Sequence, residues 1–313
     1  MRFDELDLDD DVLDALDAMN FSECTPIQEK AIGVVLDGND LIACAQTGTG
    51  KTAAYLLPII NNLAREDSPR DAVRCIVMVP THELAQQIDR QLQGFSYFLP
   101  ISSVAIHGGT DGKDFARQQQ GLKMGADIVI ATPGRLLAHM KMGYVDLSKV
   151  SVFVLDEADR MLDMGFFPDV KRIVKFLPKK RQTLLFSATI PAEIADLAEK
   201  MLHEPEHISV TPSAKPADKI EQQLYFVEKQ EKRELLPDII RQSNVHQVLV
   251  FTRTKHGADR VARDLNRAGI KTKSIHGDKS QNQRQRALAD FKECKIAVLV
   301  ATDIAARGID IND

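Results

Sequence analysis

The stretch LIACAQTGTGKT, residues 41–52, decides how this chain folds. A short apolar run gives way to glycines, a lysine and a threonine, the pattern of a buried strand handing over to a phosphate loop and then a helix. Gly48 and Gly50, interleaved with Thr47 and Thr49, let backbone amides turn inward to an anion. Lys51 can reach β and γ phosphates, and the Thr52 hydroxyl can ligate Mg²⁺. Ala45 stands where such loops usually have their first glycine. A glycine-rich turn without a ligand is the plain alternative, and GKT directly after a buried strand argues against it.

Outward from this loop, the same kind of run recurs. CIVMV (75–79), DIVIA (127–131), VSVFVL (150–155), TLLFSA (183–188), QVLVF (247–251) and IAVLVA (296–301) are each followed by small or polar residues and a helical pattern. Near-continuous apolar strands alternating with helices predict parallel sheets covered on both faces, an α/β fold. SVTPSAKPADK (209–219) interrupts the alternation with two prolines and reads as a linker. The expected domains are 1–208 and 219–313, with 209–218 between them. Ligands of such sheets bind beyond the carboxyl ends of the strands, so the residues after each apolar run are the candidates.

Composition narrows the function classes. The 313 residues suffice for two domains with their own cores, and the net charge of −5 argues against coating nucleic acid by bulk charge. Any nucleic-acid site must be local. The Asp-rich opening, FDELDLDDDVLDALDAM, reads as a solvated amphipathic helix. Cys24, Cys44, Cys75 and Cys294 form no CxxC pair and no metal spacing with histidine, which suits a reducing cytoplasm. No apolar run approaches the roughly 20 residues of a membrane span.

After VSVFVL comes DEAD, Asp156 to Asp159. Two carboxylates at a strand's carboxyl end serve triphosphate hydrolysis: Asp156 holds Mg²⁺, usually through water, and Glu157 orients and deprotonates the attacking water. A solvated acidic turn is the alternative, but a phosphate loop lies upstream to supply the other half of a Mg·NTP site.

With these residues the chain resembles the DEAD-box RNA helicases, from Phe3 to Asp313, and the order of motifs carries the resemblance. FSECTPIQ (21–28) is similar to the family's adenine-sensing motif, with Asn20 in place of the usual preceding glycine. The resemblance implies that Gln28 reads adenine and that Phe21 and the upstream Phe3 belong to the same site. PTHELAQQ (80–87), HGG (107–109) and TPGR (132–135) look like the loops that grip the RNA sugar-phosphate backbone, implying contacts from Pro80, Thr81, His82, Gly108, Gly109, Thr132, Pro133, Gly134 and Arg135. The third residue of the first loop is normally arginine. His82, mostly neutral at pH 7, cannot replace a permanent bidentate clamp, so RNA binding is expected to be weaker than in a His82→Arg variant. In SAT (187–189) the hydroxyls of Ser187 and Thr189 are implied to bond back to the DEAD segment and couple the ATP and RNA sites. A helix N-cap is the competing reading.

In the second domain the resemblance implies RNA contacts from Arg253, from Gln281 and Arg284 at QxxR spacing, from Thr302 and from Arg307. It implies an ATP-ribose contact from Asp310. The family's HRIGRTGR-like segment is not found, so the expectation is a chain ending before it. The second domain is then incomplete, with apolar sheet surface and a bare strand edge facing water, and the arginine finger is absent.

The resemblance implies two RecA-like P-loop domains in tandem and an ATP-dependent RNA helicase that holds RNA by its backbone, hydrolyses ATP with Mg²⁺ and opens short duplexes. The alternative is a non-hydrolysing ATP/RNA clamp without the arginine finger. A P-loop kinase or small GTPase would not carry the second domain ending in ATDIAARGID. RNA rather than DNA rests on the resemblance alone.

Overall fold

The computed structural model describes residues 1–65, 71–108, 112–210, 221–228, 231–243 and 245–302. The chain divides into two compact units, Met1–Asp218 and Lys219–Asp313. The first holds strands β1 (Leu41–Cys44), β2 (Cys75–Met78), β3 (Ser103–Ile106), β4 (Ile128–Ala131), β5 (Val152–Asp156), β6 (Gln182–Ser187) and β7 (Glu206–Ser209). They form one parallel sheet in the order β3-β4-β2-β5-β6-β1-β7. The central strands are buried along their whole length, and the strand alternation places an apolar cluster on each side. On one side Val77, Val154, Leu184 and Phe186 meet the helices Pro26–Leu36 and Lys51–Arg65. On the other Ile76, Phe153, Leu155 and Leu185 meet the helices Pro133–Met140 and Phe167–Val174. A buried ion pair between Arg74 and Asp127, 2.7 Å, clamps the entry to β2 against that to β4.

The Asp-rich opening forms the helix Asp10–Ala18, which buries Val12, Ala15 and Leu16 and leaves its aspartates outward. The segment read as a linker begins inside the sheet: Ser209 ends β7, and the Val210 amide bonds the Cys44 carbonyl at 3.0 Å. Residues 211–218 lie outside the described residues.

The second unit, among its described residues, contains β8 (Val248–Thr252), β9 (Thr272–Ile275) and β10 (Val298–Thr302) in the parallel order β8-β10-β9. β10 is wholly buried, with Val298 and Val300 facing the helix Lys255–Arg267 and Leu299 and Ala301 packed with Phe291 of the helix Gln281–Lys292. β8 is an edge strand and only partly covered, with Phe251 57% exposed.

Candidate functional site

In a parallel sheet all carboxyl ends lie on one rim, and the strand order decides which loops become neighbours. The phosphate loop after β1, the DEAD segment after β5 and the SAT segment after β6 follow three adjacent strands, β5-β6-β1. The loops carrying Pro80 to His82, Gly108 and Thr132 to Arg135 follow the other adjacent trio, β3-β4-β2. The rim is thus divided into two halves that meet between β2 and β5.

In the phosphate loop, Gly48 and Gly50 adopt φ of 81° and 88°, the left-handed region open to glycine. Thr49 Oγ1 donates to Gln46 O at 2.8 Å, while Thr47 and Gly48 are exposed. The buried Lys51 Nζ donates to Ala45 O at 2.9 Å, so the ammonium lies inside the loop it closes. Gln28 supports the loop from behind. Its Oε1 accepts from Thr25 N at 2.8 Å, capping the helix Pro26–Leu36, and its Nε2 donates to Gly50 O at 3.1 Å.

The side chain implied to read adenine is therefore buried and committed at both ends to local structure. Phe3 is likewise placed in the core, 2% exposed, packed with the residues under the first helices. Phe21 is half-buried and meets Phe95 edge-on at 5.7 Å.

Asp156 ends β5 with its carboxylate buried. Oδ1 accepts from Glu157 N at 2.9 Å, and Oδ2 from the Tyr55 hydroxyl at 3.0 Å. Burial raises its pKa, opposed by the Lys51 charge. Glu157 is held at φ 55°, a conformation costing an L-residue roughly 1–2 kcal/mol. Strain of this kind persists where surrounding structure enforces it, often at functional sites. Its Oε2 pairs with Arg160 Nη1 at 2.8 Å, and burial, then the Asp156 charge, push its pKa up to about 7.

Asp159 ties the DEAD segment to β6. Its amide donates to Ser187 Oγ at 3.1 Å, and its Oδ2 accepts from both the amide and the hydroxyl of Thr189 at 3.2 Å. Asp159 carries this connection and was not singled out by the sequence, because one aspartate in an acidic run looks like any other.

The Mg²⁺ implied by these motifs fits the donor set. Thr52 and Asp156 offer only hard oxygens, and no cluster of three or more metal-ligating side chains exists among the described residues. That suits a cation held by one or two protein oxygens together with phosphates and water.

On the other half of the rim, Thr81 caps the helix His82–Phe95 through a bond from Leu84 N to its Oγ1 at 3.2 Å. The ring of His82 is buried and stacks on His107 at 3.7 Å, joining the loops after β2 and β3. Gln118 extends the connection to the helix Pro133–Met140, which follows β4. Its Nε2 donates to His107 O at 3.1 Å and its Oε1 meets His139 Nε2 at 3.2 Å. His139 stacks on Phe115, over whose ring the Arg135 guanidinium also lies, at 4.7 Å. Pro80 and Pro133 are buried, Gly108 and Thr132 half-buried, and Gly134 exposed.

In the second unit Arg253 follows β8 and is exposed, Arg284 is half-buried on the helix Gln281–Lys292, and Thr302 ends β10, buried. Gln281 opens that helix. Gly109, Arg307 and Asp310 lie outside the described residues.

A parallel α/β sheet that sets a phosphate loop beside a buried Asp–Glu pair defines a RecA-like P-loop nucleotide site. The model for DEAD/DEAH box helicases matches residues 25–197, and that for the helicase conserved C-terminal domain matches 231–313. The chain belongs to the DEAD/DEAH box helicase family. It is similar to the ATP-dependent RNA helicase CshA of Listeria monocytogenes, 43% identical over 311 residues that span 99% of this chain and 59% of that protein. The DEAD-box ATP-dependent RNA helicase CshA of Bacillus subtilis is 41% identical over 312 residues, 100% of this chain and 62% of its own length. The chain thus spans about three-fifths of these curated relatives. Among solved structures, Saccharomyces cerevisiae Dbp5 bound to RNA and ADP BeF3 matches with a TM-score of 0.86 and 32% identity, over 99% of this chain and 78% of that one.

Proposed function

We propose that this chain is the core of an ATP-dependent RNA helicase that grips RNA by its sugar-phosphate backbone and couples ATP hydrolysis to local duplex opening. One observation carries the reading: the sheet order gathers the phosphate loop, the DEAD segment and the SAT segment on β5-β6-β1, and the described RNA-loop candidates of the first unit on the adjoining trio. The Asp159 bonds to Ser187 and Thr189 span the triphosphate half, and the His82, His107, Gln118, His139 chain spans the other. The named relatives, CshA and RNA-bound Dbp5, support RNA as the partner.

In this reading the amides of 47–50 and Lys51 bind the ATP phosphates, Lys51 exchanging the Ala45 carbonyl for phosphate oxygens. Thr52 and Asp156 hold Mg²⁺, which when bound neutralises charge on the phosphates. Glu157 orients the attacking water and accepts its proton, its carboxylate steadied by Arg160. Gln28, with Phe21 and the upstream Phe3, is the proposed adenine contact, and its bond to Gly50 also joins the helix cap to the phosphate loop. Arg135 and the loop amides meet RNA phosphates; in the second unit, proposed as 219–313, Arg253, Gln281, Arg284, Thr302 and Arg307 are proposed as RNA contacts and Asp310 as an ATP-ribose contact. No helix among the described residues is long and apolar enough to cross a membrane, and the free cysteines suit a cytoplasmic protein.

The test is steady-state ATPase with and without single-stranded RNA, beside Glu157→Gln. RNA-stimulated turnover lost by a factor on the order of 10² or more in the variant is expected. ATP binding without turnover in either protein would assign the chain to the alternative, a non-hydrolysing ATP/RNA clamp.

A further inference from the structure

Tyr55 lies three residues after Thr52 on the helix Lys51–Arg65, a spacing that sets the two side chains on one face. Its ring is fully buried and tilted against Phe186 of β6 at 5.1 Å, which fixes where the hydroxyl points. The hydroxyl donates to Asp156 Oδ2 at 3.0 Å. That partner is the carboxylate assigned above, with Thr52, to Mg²⁺. The remaining oxygen of Asp156 accepts from Glu157 N at 2.9 Å, so the carboxylate is pinned by one bond at each oxygen.

We infer that Tyr55 is a positioning residue for the metal: its hydroxyl holds the Asp156 carboxylate in the orientation that Mg²⁺·ATP binding requires. The inference rests on the ATP-site reading and deepens it. Mg²⁺ demands near-octahedral geometry and parts reluctantly with its waters, so a carboxylate free to rotate serves it less well than one locked in place. Phenylalanine at position 55 would keep the ring, the volume and the Phe186 contact while removing only the strut. The bland explanation is a buried tyrosine that has merely found an acceptor. That explanation predicts a change in folding stability and none in the response to the metal.

The experiment is equilibrium binding of a fluorescent, non-hydrolysable ATP analogue to the full chain, in EDTA and across a series of MgCl₂ concentrations, with melting temperatures recorded without nucleotide. For Tyr55→Phe the affinity in EDTA is expected to match wild type, while the Mg²⁺ concentration giving half of the metal-dependent tightening rises roughly three- to tenfold. In an Asp156→Asn background the same substitution should add nothing, because the strut then has no carboxylate to hold. An unchanged Mg²⁺ midpoint overturns the inference, as does equal weakening with and without the metal or a change confined to melting temperature. A wild-type chain whose affinity ignores Mg²⁺ would instead sink the ATP-site reading, an outcome distinct from wild type and variant responding alike.

Discussion

Gly50 meets two constraints at once, a φ of 88° and a neighbour so close that an added Cβ would stand 2.5 Å from Gln28 Nε2. Gly50→Ala must either bend the loop or push Gln28 from the helix it caps. Nucleotide affinity should fall on the order of tenfold or more, about 1.4 kcal/mol, and binding titrations that matched wild type would refute the strut role of Gln28. His82 poses the opposite case. Its ring is packed on His107 rather than turned to solvent as a charge, so His82→Arg should leave the stack and reach outward. RNA affinity should rise and the salt dependence steepen by about 0.7 in log–log slope for each further phosphate neutralised; equal affinities and slopes in the two proteins would dispose of the expectation. Motif residues at these positions were legible in the sequence because phosphate chemistry dictates glycine, lysine and carboxylate. Tyr55 was missed because its role depends on what folds against it. The bonds of Gln28 to Thr25 and Gly50 were likewise not visible in the motif, and nothing in GKTAAY marks Tyr55 as the neighbour of Asp156 a hundred residues on.

The strands were legible where they are buried on both sides, and much less so at the edges. LIACA, CIVMV, DIVIA, VSVFVL and TLLFSA became β1, β2, β4, β5 and β6, each flanked by strands on both sides. β3 (SVAI), β7 (EHIS) and β9 (TKSI) were missed, all three edge strands among the described residues that mix polar residues because only one side is paired; QVLVF, which became β8, was found although it too is an edge strand there. The helix Pro133–Met140 shows a second thing that strand-hunting overlooks, a buried polar group at a helix end. His139 is enclosed by Gln118, Tyr144 and Phe115 with Arg135 one turn away, and burial first, then that positive charge, lower its pKa to about 4. The unfolded chain binds this proton near pH 6.5 and the folded chain only near 4, so the folded state loses stability as pH falls through that window. His139→Gln has no such proton to refuse. The stability gap between wild type and His139→Gln, read from melting curves, should therefore narrow as the pH is lowered from about 7 toward 5, and a constant gap would contradict the lowered pKa.

At the scale of the whole chain the two units differ in how much they bury. The first has a seven-stranded sheet with an extensive apolar cluster on either side, while the described part of the second has three strands and two small clusters held together by β10. The helix Lys232–Gln242 buries none of its residues, and β8 is only partly covered along its length. Hydrophobic burial is the main term opposing chain entropy, so opening free energy should follow these differences, with local openings of the second unit costing well below the roughly 5–15 kcal/mol of a whole domain. Native-state hydrogen exchange followed by mass spectrometry can read each element separately. Amides of β1, β2 and β5 should be the slowest, those of β10 intermediate, and those of β8 and the helix Lys232–Gln242 the fastest among the regular elements. Adding Mg²⁺ and the ATP analogue should then slow exchange in the helix Lys51–Arg65 and at the end of β5 by mass action, since a ligand that binds only the folded state stabilises what it touches. If β8 exchanged as slowly as β1, the stability of the second unit would have to come from something other than the packing of its own sheet, and the division of the chain into a firm nucleotide platform and a softer partner would be wrong.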